Sequence, residues 1–177
     1  MFLDQITYFP TVTDSDAARI GLERWLEQPG LTGDDALAAR VRTLAEHRNG
    51  SALLQGVFAN SPYLTRLLIR DIAFTAELLE NGPDAIEAEL LKKAAALDAL
   101  SMSTTELMAA LRVLKRHYSL TTAIADITRV WPLERVTGAL STLADTAIAA
   151  AWRHALGIEA RAGRLPLDAD GGGDILE

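Results

Sequence analysis

The sequence predicts an all-α fold: an array of short helices followed by a long antiparallel helical hairpin. Three observations point there. The 177 residues are 49% hydrophobic but only 6% aromatic, and Ala and Leu dominate, which favours packed helices over a sheet. Apolar residues recur at helical spacing along most of the chain. Helix-start signals recur as well, in Ser61-Pro62 and in the capping box Ser103-Thr104-Thr105-Glu106. The length suits one domain with a sizeable core. Residues 1–162 are expected to form it, and residues 163–177, acidic and Gly-rich, read as a flexible linker.

Met1 to Thr13 is expected to be irregular, docked through Phe2, Ile6, Tyr8 and Phe9. Asp14 or Ser15 caps a helix running to Glu27, with Ile20, Leu22, Trp25 and Leu26 as its apolar surface, and Gln28-Pro29-Gly30 ends it. Gly33-Asp34 starts the next, which buries Leu37, Val41 and Leu44 and leaves Arg40 and Arg42 elsewhere. Asn49-Gly50-Ser51 breaks the pattern before a short apolar helix of Leu53, Leu54, Val57 and Phe58. Ser61-Pro62 opens a helix with Leu64, Leu67 and Leu68, Asp71 marks a bend, and Ile72, Phe74, Leu78 and Leu79 follow. Asn81-Gly82-Pro83-Asp84 is a loop-to-helix junction, and a helix from Pro83 to Leu100 carries Ile86, Leu90, Leu91 and Leu97.

The hairpin comes last. Its first helix has two apolar lines, Leu107, Leu111, Leu114 and Tyr118, and Val113, Leu120, Ile124, Ile127 and Trp131. At ~100° per residue these lie roughly 120° apart, so the helix sits between neighbours. Arg112, Lys115, Ser119, Thr122 and Asp126 are expected to meet water. Pro132 suits the first turn of the second helix. There the apolar positions are Val136, Leu140, Leu143, Ala147 and Ala151, and Ala144, Ala147, Ala151 and Ala155 form a small-residue face for close helix approach.

Chemistry-bearing patterns are few. The net charge of −7 argues against nucleic acid. No cysteine is present, so there is no thiol nucleophile, disulfide framework or zinc finger. No apolar run approaches the ~20 residues of a membrane span, and Met1-Phe2-Leu3-Asp4 lacks a signal peptide's basic opening, so a cytoplasmic protein is expected. Asp168, Asp170, Gly173 and Asp174 imitate the start of a calcium loop but lack its later ligands, and read as linker. His47, His117 and His154 form no metal-ligand spacing. His117 is expected to be partly buried and structural. Arg112, Lys115 and Arg116 form a basic patch suited to an acidic partner or a phosphate, or to pairing with acids on neighbouring helices; the pairing is expected. There is no Gly-x-Ser-x-Gly motif, Walker loop or dinucleotide fingerprint. No catalytic, cofactor-binding or metal residue is therefore expected.

Two ordered blocks carry a family resemblance. One comprises Leu111-Arg112, Lys115-Arg116, Ile124-Ala125-Asp126-Ile127, Leu133-Glu134-Arg135-Val136 and Ala139-Leu140-Ser141-Thr142-Leu143-Ala144-Asp145. The other is Val57-Phe58-Ala59-Asn60-Ser61-Pro62-Tyr63-Leu64, then Leu67-Leu68 and Arg70. Over Leu53 to Gly163 the chain resembles the N-terminal helical segment of the bacterial glutamine synthetase adenylyltransferase/adenylyl-removing enzyme. Asp71-Ile72 departs from the family, which often has a proline there. The resemblance implies reversible adenylylation of glutamine synthetase, with ATP and Mg used by a following nucleotidyltransferase domain. That domain's Gly-rich turn and paired aspartates do not occur in this sequence, and residues 163–177 are, on the resemblance, a linker or the approach to it. The segment is expected to be inactive alone, scaffolding that domain and contacting glutamine synthetase and the PII signal protein. The alternative is a stand-alone helical protein–protein interaction module.

Overall fold

The computed structural model describes residues 1–31 and 33–164, and every regular element among them is helical. A 3-10 turn over Phe2–Gln5 precedes α1 (Ser15–Glu27), a second such turn (Gln28–Leu31), α2 (Asp35–Glu46), α3 (Arg48–Asn60), α4 (Pro62–Arg70), α5 (Ile72–Asn81), α6 (Pro83–Ala95), α7 (Thr104–Ile127) and α8 (Leu133–Arg161). Short polar side chains cap four of the eight described α-helices. Asp14 accepts from the Ala17 amide, Asp34 from Leu37 and Ser61 from Leu64. Ser103 and Glu106 form the full capping box. Each cap satisfies an otherwise free amide and contributes about 1 kcal/mol.

Two expected boundaries move. The break after α2 falls at His47, and Asn49-Gly50-Ser51 lies inside the first turn of α3. His47 closes α2 and caps α3, its Nδ1 accepting from the Gly50 amide at 3.4 Å. Nε2 is then left to donate to Asp4, 3.1 Å away. Likewise α6 stops at Ala95, short of Leu100, and turns bridge to Ser103. Asp98 supplies the alternative to helix: its carboxylate accepts from the amides of Leu100 and Ser101. At Gly82 the backbone takes a φ of 86°, open to glycine, and the Phe2 ring packs where a Cβ would stand.

The core runs through the short-helix array and into the C-terminal half of α7, with Trp25, Leu44, Leu53, Leu54, Leu68, Leu78, Leu79, Leu120 and Ile124 fully buried. Ile20 and Leu26, expected as buried surface of α1, are exposed, as is Leu91 on α6. Residues 1–13 dock as expected through Phe2, Ile6 and Phe9, with one 3-10 turn added at Phe2–Gln5, while Tyr8 is exposed. Leu3 joins Phe2 and Ile6 in the core, and the Asn49 amide donates to the Leu3 carbonyl at 2.9 Å. Asn60 holds the Thr11 carbonyl at 2.7 Å, and the Arg129 guanidinium lies 3.7 Å from the centre of the Tyr8 ring.

The two long helices differ most from expectation. The N-terminal half of α7 has one buried line, Leu107 and Leu114 with Leu111 half-buried, and Val113 is exposed. Its C-terminal half is covered on nearly all sides. Thr122, expected to be wet, is only 3% exposed there, with no partner for its hydroxyl. On α8 the buried positions are Val136, Ala139, Ala150, His154 and Gly157. Leu140, Ala144, Ala151 and Ala155 face water, and Leu143 and Ala147 are half-buried. The close-packing face of α8 is thus made of different small residues, and Gly157 approaches the Leu100 side chain. α8 packs on α7, with Thr104 at the start of α7 beside His154 late in α8. Of the segment expected as a linker, only Gly163 and Arg164 are among the described residues, so the Asp168, Asp170 and Asp174 run lies outside them.

Candidate functional site

The basic patch on α7 does not act as a unit. Arg116 turns inward and donates to both carboxylate oxygens of Asp71, at 2.6 and 3.1 Å, while Arg112 and Lys115 stay exposed. A two-pronged guanidinium–carboxylate pair fixes geometry better than a lysine would. It clamps α7 to the α4–α5 bend. His117 lies alongside, stacked on Phe74 with ring centres 3.8 Å apart and planes 4° from parallel.

Burial holds the His117 pKa below its ordinary value; Asp71 opposes this, and Arg116 and Lys93 reinforce it. The unfolded chain takes up that proton near pH ~6.5, whereas the folded chain resists it. The stabilisation is therefore complete above that pH and is lost as pH falls toward the depressed folded value. His117→Phe keeps a ring against Phe74 but cannot titrate. Between pH 7.5 and 5.5, roughly the span in which an ordinary histidine protonates, its melting temperature is expected to fall less than that of the parent chain. Parallel curves in a thermal melt series would show that His117 is not the responsible group.

The other histidines are both held by hydrogen bonds. His154 is buried, with Nδ1 donating to the Ala99 carbonyl at 2.8 Å and Nε2 accepting from Thr104 Oγ1 at 2.9 Å. Among the described residues no three His, Asp or Glu side chains converge to hold a metal. They do not fit a magnesium ion, which needs convergent oxygen ligands.

The root of α8 is the most connected polar cluster. Trp131 Nε1 donates to Asp84 at 2.8 Å, Tyr118 to Glu87 at 3.1 Å, and Arg135 to Glu87 at 3.1 Å. Arg135 also pairs with Asp84 and lies 4.3 Å from the centre of the Trp131 ring. Burial, then Glu87, pushes the Tyr118 phenol well above its usual pKa, so it stays a donor. The cluster joins the first turns of α6 to the α7–α8 corner and sets the direction in which α8 leaves. Composition gave no hint of it, because its acids and bases are far apart in sequence.

Beyond that root, α8 presents apolar side chains to solvent. Leu140, Ile148 and Trp152 are 46%, 67% and 50% exposed, and Ala144 completes the line at i, i+4, i+8 and i+12. Helical periodicity placed Leu140 on the buried face and passed over Ile148 and Trp152. A continuous exposed apolar line on one helix marks a contact surface more often than scattered apolar residues do.

Residues 51–174 match the family model for glutamate-ammonia ligase adenylyltransferase. The chain belongs to that family. It is 36% identical over 162 residues to the bifunctional glutamine synthetase adenylyltransferase/adenylyl-removing enzyme of Bradyrhizobium sp. strain BTAi1, covering 91% of this chain and 16% of that protein. The enzyme of the same name from Xanthobacter autotrophicus is 34% identical over 161 residues, with 90% and 16% covered. That from Rhodopseudomonas palustris strain TIE-1 is 38% identical over 141 residues, with 80% and 14% covered. The chain thus spans about 16% of the length of the curated relatives it matches most fully. No solved structure matches. In this glutamate-ammonia ligase adenylyltransferase family member, the matched region contains almost all of α3 and the whole of α4–α8. It therefore includes the Asp71–Arg116 clamp, the polar root of α8 and the exposed apolar line. No described helix is long and apolar enough to cross a membrane.

Proposed function

We propose that this chain is a helical scaffold of a bifunctional glutamine synthetase adenylyltransferase/adenylyl-removing enzyme, acting in the cytoplasm. Its role is to seat an adjoining nucleotidyltransferase domain and to help contact glutamine synthetase and the PII signal protein. The exposed line Leu140, Ala144, Ile148 and Trp152 carries this reading. Relatives of which the chain spans 16% hold most of their residues elsewhere, and an apolar helix face of this kind is a natural seat for a neighbouring domain. The α8 root, held by Asp84, Glu87 and Arg135, orients that face. ATP and magnesium belong to the adjoining domain, since nucleotidyl transfer needs a metal clamp on the reacting phosphate.

The test compares two forms. The isolated chain is expected to transfer no labelled adenylyl group to glutamine synthetase and to remove none. In the full-length enzyme, Ile148→Glu/Trp152→Glu is expected to lower both activities by roughly tenfold or more, because misplaced domains lose register at the reacting groups. The same pair of changes is expected to leave the melting temperature of the isolated chain nearly unchanged. Full activity in the double variant would remove α8 as the seat.

A further inference from the structure

A cluster of unpaired cationic side chains lies between α1 and α4. A groove of about 450 Å³ is lined by Arg24, Tyr63, Arg66, Leu67, Ile69 and Arg70. Tyr63, Arg66 and Arg70 follow at i, i+3 and i+7, so they share one face of α4. α4 contains no acidic residue. None of the Arg24, Arg66 and Arg70 side chains has an ion-pair or hydrogen-bond partner among the described residues. This runs against the composition, since Asp and Glu outnumber Lys and Arg by 24 to 17. Elsewhere Arg19, Arg40, Arg116, Arg135 and Arg164 each find an acid, whereas exposed Arg42, Arg112 and Arg153 find none among the described residues; what sets the groove apart is that three such arginines from two helices line one concavity.

We infer that this groove docks a carboxylate-rich polypeptide segment of a partner. Three guanidiniums on two helices present forks that match carboxylates along a groove. Leu67, Ile69 and the half-exposed Tyr63 ring supply apolar and aromatic contact for the stems of acidic side chains. A bare phosphate also matches guanidinium forks, but it makes no use of the apolar and aromatic lining, and the start of α4 adds no helix-end amides for it. At the start of α4 Pro62 has no amide hydrogen, and the Leu64 amide is already bound by Ser61. A long nucleic acid is disfavoured by the chain's net charge of −7. A short acidic segment feels mainly the charges within a Debye length, about 8 Å at physiological salt. The inference uses only groove residues and stands whether or not α8 seats a domain.

Fluorescence anisotropy with a labelled Glu-rich peptide and the full 177-residue chain tests it. Saturable binding is expected at physiological salt. Arg66→Glu/Arg70→Glu is expected to weaken it by about tenfold or more, and Arg24→Gln, on the other helix, by severalfold. Arg42→Glu/Arg153→Glu makes the same change in net charge at exposed sites on α2 and α8 and is expected to change affinity less than about twofold. Circular dichroism melts establish that each variant is folded, and the single Arg24→Gln change carries the test if the α4 double variant is not. Absence of saturable binding, or equal losses in the groove and control variants, would overturn the inference. So would pyrophosphate binding with the same arginine dependence while the peptide fails to bind.

Discussion

Ile124→Ala is expected to lower the unfolding free energy by about 2–5 kcal/mol, from lost transfer energy plus the cavity left behind. Ile124 is 1% exposed and lies where α7 is enclosed on nearly all sides, among buried Leu120, Thr121, Thr122 and Ala125. Close-packed surroundings relax only partly. For a domain of this size the loss corresponds to a fall in melting temperature on the order of 10 °C. Two neighbours on the same helix provide controls. Val113→Ala, on the exposed side of the N-terminal half, is expected to stay within about 0.5 kcal/mol of the parent. Thr122→Val replaces a buried hydroxyl that has no partner with a methyl group and is expected to stabilise by about 1 kcal/mol. Chemical denaturation of the three variants reads all of these. A loss at Thr122 equal to that at Ile124 would mean that the hydroxyl is satisfied and the enclosure is misread.

α7 also shows what sequence can and cannot locate. Its start was legible to the residue, because the Ser103–Glu106 box is a local chemical device that needs no tertiary information. The same holds for Asp14, Asp34 and Ser61-Pro62. Which faces are covered is not local. Both apolar lines of α7 satisfy helical periodicity, but the second is buried only from Leu120 onward, where neighbouring helices reach it. On α8 the rule of placing large apolar residues inside holds at Val136 and partly at Leu143 but fails beyond them. The inner face holds Ala139, Ala150, His154 and Gly157, so that α7 and the Ala99–Leu100 turn approach closely, and Leu140, Ile148 and Trp152 are left outside. The expected pairing of the basic patch with neighbouring acids is real at Arg116 alone, where Asp71 lies 45 residues away in sequence. The arginines of the α1–α4 groove gave no signal, since Arg24 is remote from Arg66 and Arg70 until the chain folds.

Gly50→Ala is expected to destabilise by about 3 kcal/mol, at the upper end of overpacking changes, although alanine favours a helix over glycine by ~1 kcal/mol. Read from sequence, Asn49-Gly50-Ser51 is a breaker. In the fold Gly50 is a buried helical residue in the first turn of α3. Its role is spatial. A Cβ there would stand 2.0 Å from the Leu44 carbonyl oxygen and 3.0 Å from Leu3 Cδ1. The first obstacle is backbone, so no rotamer change relieves it; α3 would have to move off α2. His47 is the single residue joining those helices, so the corner has no slack to absorb the shift. The displaced turn would also pull on Leu3, which is fully buried, and on the bond from Asn49 to its carbonyl. Gly138→Ala supplies the opposite sign. Gly138 is exposed inside α8, and nothing lies within 4 Å of where its Cβ would go. There the change is expected to stabilise by about 0.5–1 kcal/mol through helix propensity alone. Thermal melts of the two variants should therefore shift in opposite directions, and a stabilised Gly50→Ala chain would show that the α2–α3 corner has room for a methyl group.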